Sequence, residues 1–161
     1  MIQATWGNFL VAQAGAAAAL TGLIFVAVSI NLPKILEFPG VSTRAAEAVI
    51  LLLGVFLISS VALVPNQSET MLGAELLSIG CLLWLVTTVR QITFHRPAAH
   101  VWWWFPARVV MCQLAILPFC VAGASLIFRW PGAVYWLVPG CMFSMIVGVI
   151  SAWILLVEIL R

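Results

Sequence analysis

Five glutamates and no aspartate occur in this chain, and solvation does not easily account for one of them. Glu75 lies in a long apolar stretch, about one and a half turns past the start of the helix it belongs to. An ionisable side chain near the centre of a membrane helix costs about 2.5–3.5 kcal/mol on insertion scales, and less toward the ends. Depth therefore decides which charges are informative. A carboxyl at that depth can hold a cation, exchange a proton or anchor a ligand, or it can fix helix packing as a hydrogen-bonded group. Placing the other apolar stretches beside it brings Gln13, Ser59 or Ser60, Ser125 and Ser144 to similar depth, with Ser78 one turn below on the same face. The expectation is a polar layer in the outer third of a helix bundle, with Glu75 meeting a polar group from the first helix.

The remaining charges are less informative. Glu37 and Glu69 fall in connections. Glu47 follows Arg44 by three residues near a helix start, where a local pair and the helix dipole account for it. Glu158 is near the end of the last apolar stretch, close to a basic group. A second polar layer on the inner side would contain Asn31, Glu47, Arg90, Gln91, Arg108, Gln113 and Glu158, and snorkelling explains most of these. The basic, aromatic connection with Arg96, Trp102, Trp103, Trp104 and Arg108 is expected at headgroup level, attracting anionic lipid. His95 and His100 do not share a helical face and no Cys or Asp joins them, so no metal site is expected. Cys81, Cys112, Cys120 and Cys141 all sit in apolar runs without a C-x-x-C pair and read as packing residues. No phosphate loop, G-x-S-x-G or H-E-x-x-H motif is present. Neither catalysis nor a cofactor is expected.

The elements that must position these residues follow from composition. The 161 residues are 65% hydrophobic and 7% charged, against about 25% charged in a soluble domain. Such a chain cannot cover a water-facing surface, and its solvent is lipid. Its net charge of +2 is too small to argue for nucleic acid. A membrane helix needs about 20 mostly apolar residues, and five stretches qualify: 9–32, 45–64, 71–94, 109–128 and 134–160. The fold class is an all-α membrane bundle, a single domain over 1–161. Pro33, Pro39, Gly40, Pro65, Pro97, Pro106 and Pro131-Gly132 mark the connections, and Asn66 with Glu69 resembles a capping box opening the third helix. The opening Met-Ile-Gln-Ala-Thr-Trp lacks a basic leader region, so the first stretch is expected to stay in the mature protein.

Five spans place Lys34, Arg44, Arg90, Arg96, Arg108 and Arg161 on one side and Arg129 alone on the other. The positive-inside rule then puts the N-terminus outside and the C-terminus in the cytoplasm. Trp6, Trp130, Tyr135 and Trp136 form the outer aromatic belt.

The first span is unlike the others in being small-sided. Gly15 and Ala19, and Ala18 and Gly22, stand four apart, which lets another backbone approach closely. The fifth span has its own row of Gly140, Ser144, Gly148 and Ala152. These two rows are expected to touch, within one subunit or between subunits, with the first helix at the centre of the bundle.

The segments Ala18–Leu32, Tyr135–Gly140 and Trp153–Arg161 resemble a group of short bacterial membrane proteins, some of them labelled modulators of the FtsH protease. The resemblance covers most of the chain and implies a multi-pass protein of the bacterial inner membrane, but carries no functional residue with it. Two functions are therefore expected. One is a small channel or transporter subunit, acting as a homo-oligomer around Glu75. The alternative is an interaction protein that binds another membrane protein, such as a membrane protease. Membrane lipids are partners in both.

Overall fold

The computed structural model describes residues 2–37, 39–93 and 104–160, with side chains for 5–33, 35, 44–93 and 106–154. Lipid offers backbone groups no hydrogen bonds, so an apolar chain must satisfy them within its own helices. The chain does so in α1 (Ile2–Ile30), a short α2 (Leu32–Glu37), α3 (Pro39–Ala62), α4 (Glu69–Thr93), α5 (Trp104–Ile127) and α6 (Leu137–Leu160). Among the described residues, α1, α3, α4, α5 and α6 are each long and apolar enough to cross a membrane. The short α2 occupies part of the Pro-marked connection. Pro33 and Pro39 each fall in the first turn of a helix, where a missing N–H leaves no bond unmade.

The turns at the end carrying the start of α1 follow from local chemistry. Pro65 closes α3, and Asn66 takes a left-handed φ of 61° that its short amide side chain tolerates. The cap of α4 differs from the expected capping box. Ser68 makes it, its Oγ accepting from the Met71 N–H at 3.2 Å. Between α5 and α6 a single 3-10 turn, Ala133–Trp136, starts from Gly132 at φ 80°.

The helices α3, α4, α5 and α6 close on one another as a ring of four, and α1 lies outside, against α3 and the edge of α6. The core is built from Leu51, Val55 and Ile58 of α3, Leu76 of α4, Ile116 and Phe119 of α5, and Leu137 and Cys141 of α6, all essentially inaccessible. The closest seam joins α4 to α5. A Cβ on Gly123 would stand 2.5 Å from the Leu77 backbone nitrogen, and one on Gly73 would stand 2.9 Å from the Gly123 carbonyl oxygen. Pro118 lies inside α5 and deprives the Leu114 carbonyl of its donor. At the next carbonyl, that of Ala115, the Ser144 hydroxyl of α6 donates at 3.1 Å. This is the kind of neighbouring hydroxyl that makes a proline tolerable inside a membrane helix.

The centre of the bundle is therefore α3, and the expectation for the first helix is corrected. α1 turns Leu10, Gln13, Ala17 and Ile24 inward and leaves Gly15, Ala18, Ala19 and Gly22 exposed. A Cβ on Gly15 or Gly22 would meet nothing within 4 Å. α1 and α6 do meet at an edge, where Leu20, Ile24 and Ala27 on one side and Val149 and Ala152 on the other line a shared groove. The rest of the small row of α6 is occupied elsewhere. Gly140 faces the Phe119 ring and Gly148 faces Leu52. The physical reason is that lipid tails and protein interior are equally apolar, so small size alone does not decide which face a helix buries.

Candidate functional site

The charged centre of this molecule lies at the opposite end from Glu75. Glu47 stands two turns into α3 and is 1% exposed. Its carboxylate accepts from the Arg108 guanidinium of α5 at 2.7 Å. Arg44, three residues before it on the same helix, is not its ion-pair partner among the described residues. From α4 come Thr87 and Gln91, each 2% exposed. The Cys112 thiol of α5 lies beside Glu47, Gln91 and Arg108. Helix geometry explains this convergence. Glu47 and Arg108 both lie near the starts of their helices, and Gln91 near the end of an antiparallel one, so all three reach the same depth.

One short ionic bond here ties α3 to α5, with Thr87 and Gln91 of α4 buried alongside. A buried pair of this kind does little for net stability, yet breaking it from one side is costly because a charge is stranded. Two donors remain unused beside it, Arg108 Nε and Gln91 Nε2, both buried and without a partner. They could satisfy a water or an anion, as buried polar groups usually require. A second polar tie lies nearby on the same seam. Trp84 Nε1 of α4 donates to Gln113 Oε1 of α5 at 2.7 Å, and Gln113 Nε2 reaches Thr88 Oγ1 at 3.5 Å. Asn31 takes no part, because its amide donates to the Ala27 carbonyl of its own helix at 2.9 Å.

The residues expected to form an outer layer are dispersed rather than gathered, and only Gln13, Ser59, Ser125 and Ser144 of them are buried. The Glu75 carboxylate accepts from Gln67 Nε2, a side chain of the connection leading into its own helix. No group of α1 donates to it among the described residues. Ser78 is exposed and donates to the Glu75 backbone carbonyl at 2.9 Å. Gln13 is buried on the α3-facing side of α1 with its Oε1 unpartnered. Ser59 is buried beside the Cys141 thiol, with its hydroxyl unpartnered, and Ser60 is half-buried. Ser125 is buried in the last turn of α5, where its carbonyl accepts the Trp130 N–H at 2.9 Å. Ser144 is spent on Ala115. Their directions around the helix axes diverge, so the side chains do not converge on one site.

Arg96, Trp102, Trp103, His95 and His100 lie outside the described residues, as do the side chains of Trp104 and Glu158. Among the described residues no cluster of three or more potential metal ligands occurs. Comparison with protein-family models, with curated proteins and with solved structures finds no match.

Proposed function

We propose that this chain is a multi-pass protein of a bacterial inner membrane that acts by non-enzymatic association within the membrane plane. Its N-terminal end faces outside and its C-terminal end the cytoplasm. The four-helix ring is the rigid platform and α1 presents the docking surface. The observation that carries this reading is the open small-residue face of α1. Gly54, Gly73, Gly80, Gly123, Gly140 and Gly148 would each bring a Cβ to 3.0 Å or less from a neighbour, whereas Gly15 and Gly22 face open space. A glycine in the middle of an exposed helix is less favourable than alanine by about 0.5–1 kcal/mol. A close-packed partner offsets that cost through backbone contact and dispersion.

A second copy of the chain is the simplest occupant, since one α1 face on another is self-complementary across a two-fold axis. The resemblance to proteins labelled modulators of the FtsH protease supports a second reading, in which the same face takes a helix of another membrane protein. The channel or transporter reading built on Glu75 has less support, because its carboxylate is engaged by Gln67 and Gln13 lies in a different interface. Energy transfer between donor- and acceptor-labelled copies in liposomes tests the proposal. Transfer that persists on lipid dilution is expected for the native chain and is expected to be lost in Gly22→Leu. Transfer lost equally fast on dilution in both contradicts self-association. Capture of a membrane protease by the native chain and not by Gly22→Leu would favour the second reading.

A further inference from the structure

The N-terminal end of the bundle holds a cavity that docking through α1 leaves unused. It lies between the start of α1, the start of α4 and the α5–α6 connection, has a volume of about 350 Å³, and is lined by Trp6, Glu69, Arg129, Trp130, Gly132 and Tyr135 among others. That is within the size range of ligand pockets, about 300–1,000 Å³. Its two charges are opposite in sign and uncommitted. Neither the Glu69 nor the Arg129 side chain has a hydrogen-bond or ion-pair partner among the described residues. In its aromatic wall Trp6 and Tyr135 meet edge to face with ring centroids 4.9 Å apart.

The backbone marks Arg129 as unusual. The Trp130 N–H bonds the Ser125 carbonyl at 2.9 Å and the Arg129 N–H bonds the Leu126 carbonyl at 3.2 Å. This is a Schellman ending, with Arg129 in the left-handed position at φ 53°. Glycine is the usual residue there, and a longer side chain is held in that conformation at a cost in backbone energy. Packing does not require the arginine, since its side chain is exposed. It is also the lone Lys or Arg assigned to this end of the chain.

We propose that this cavity binds a zwitterionic aminoalkyl phosphate, the headgroup chemistry of phosphatidylethanolamine. Arg129 takes the phosphate through its forked guanidinium. Glu69 takes the ammonium, which also finds a ring face among Trp6, Trp130 and Tyr135. A purely anionic headgroup is disfavoured by Glu69 and a simple cation by Arg129. The proposal rests on the membrane-spanning reading and is independent of whether α1 docks a partner.

Native mass spectrometry of the full chain in detergent tests it, with phosphatidylethanolamine, phosphatidylglycerol and soluble glycerophosphoethanolamine as probes. The native chain is expected to retain phosphatidylethanolamine at least about tenfold more tightly than phosphatidylglycerol. Arg129→Gly relieves the backbone and is expected to melt no lower than the native chain while losing retention. Glu69→Gln is expected to keep phosphate affinity and lose the preference for ethanolamine over glycerol. If Arg129→Gly fails to fold, Glu69→Gln alone decides. Binding of glycerophosphoethanolamine supports the assigned chemistry with a free aminoalkyl phosphate as ligand, and binding of intact lipid alone supports a membrane source. Equal retention of the two lipids by the native chain, or unchanged preference in Glu69→Gln, overturns the assignment.

Discussion

Along the α4–α5 seam, Gly73 and Gly123 bring two backbones so close that a Cβ on either would enter the other helix. On α1, Gly15 and Gly22 have nothing in front of them. The four-helix ring is thus complete without the small face of α1, and the two regions use one residue type for different ends. In the seam, the missing side chain is already filled by a neighbour's backbone. On α1 it leaves a surface open to lipid or to a partner helix. Identical substitutions should therefore have opposite effects in the two places.

The largest loss is expected inside the ring. Arg108→Leu strands the buried Glu47 carboxylate and should cost about 3–5 kcal/mol, read as a drop in unfolding free energy in mild detergent. The double change Glu47→Leu with Arg108→Leu should recover most of it. Failure to recover would mean that the ion pair is not self-contained.

Gly123→Ala should cost about 2–3 kcal/mol, because the obstacles are backbone atoms that cannot rotate away. Gly140→Ala should cost less, about 1 kcal/mol, since the obstacle is the Phe119 ring, which a small tilt can displace. If the two substitutions cost the same, the distinction between backbone and side-chain obstruction is lost.

On α1 the sign should reverse. Gly15→Ala is expected to raise stability of the isolated chain by about 0.5 kcal/mol, through helix propensity and a less flexible unfolded state. A destabilisation as large as that of Gly123→Ala would show that α1 is packed in the single chain, and would remove the contrast between the two regions.

Much of this architecture was legible in the sequence. Pro65, Pro131 and Gly132 delimit helices because their backbone chemistry is local, and helix length follows from membrane thickness. Position along each helix was legible for the same reason, which is why Glu47, Gln91 and Arg108 could be placed together at one end of the bundle before their contacts were known. Direction around the helix axis was not. In water, a polar face and an apolar face tell inside from outside. In lipid both faces are apolar, so the small row of α1 gave no sign that it points outward, and Glu75 gave none that it turns to Gln67. The sequence pairs Glu47 with Arg44 because the two stand three residues apart on one helix, whereas Arg108 is 61 residues away. Matching opposite charges by depth, rather than by sequence distance, would have found the pair.

The central claim is that the small face of α1 contacts a partner helix in the membrane. Cysteine cross-linking in native-like bilayers tests it most directly, in a background with the four native cysteines replaced. Ala18→Cys lies on the open face of α1, and Leu117→Cys lies on the exposed face of α5 near the middle of that helix. The account predicts that Ala18→Cys forms a disulfide-linked dimer, or a cross-link to one other membrane protein, under mild oxidation, while Leu117→Cys does not. Equal cross-linking at both positions, or none at Ala18, would contradict it.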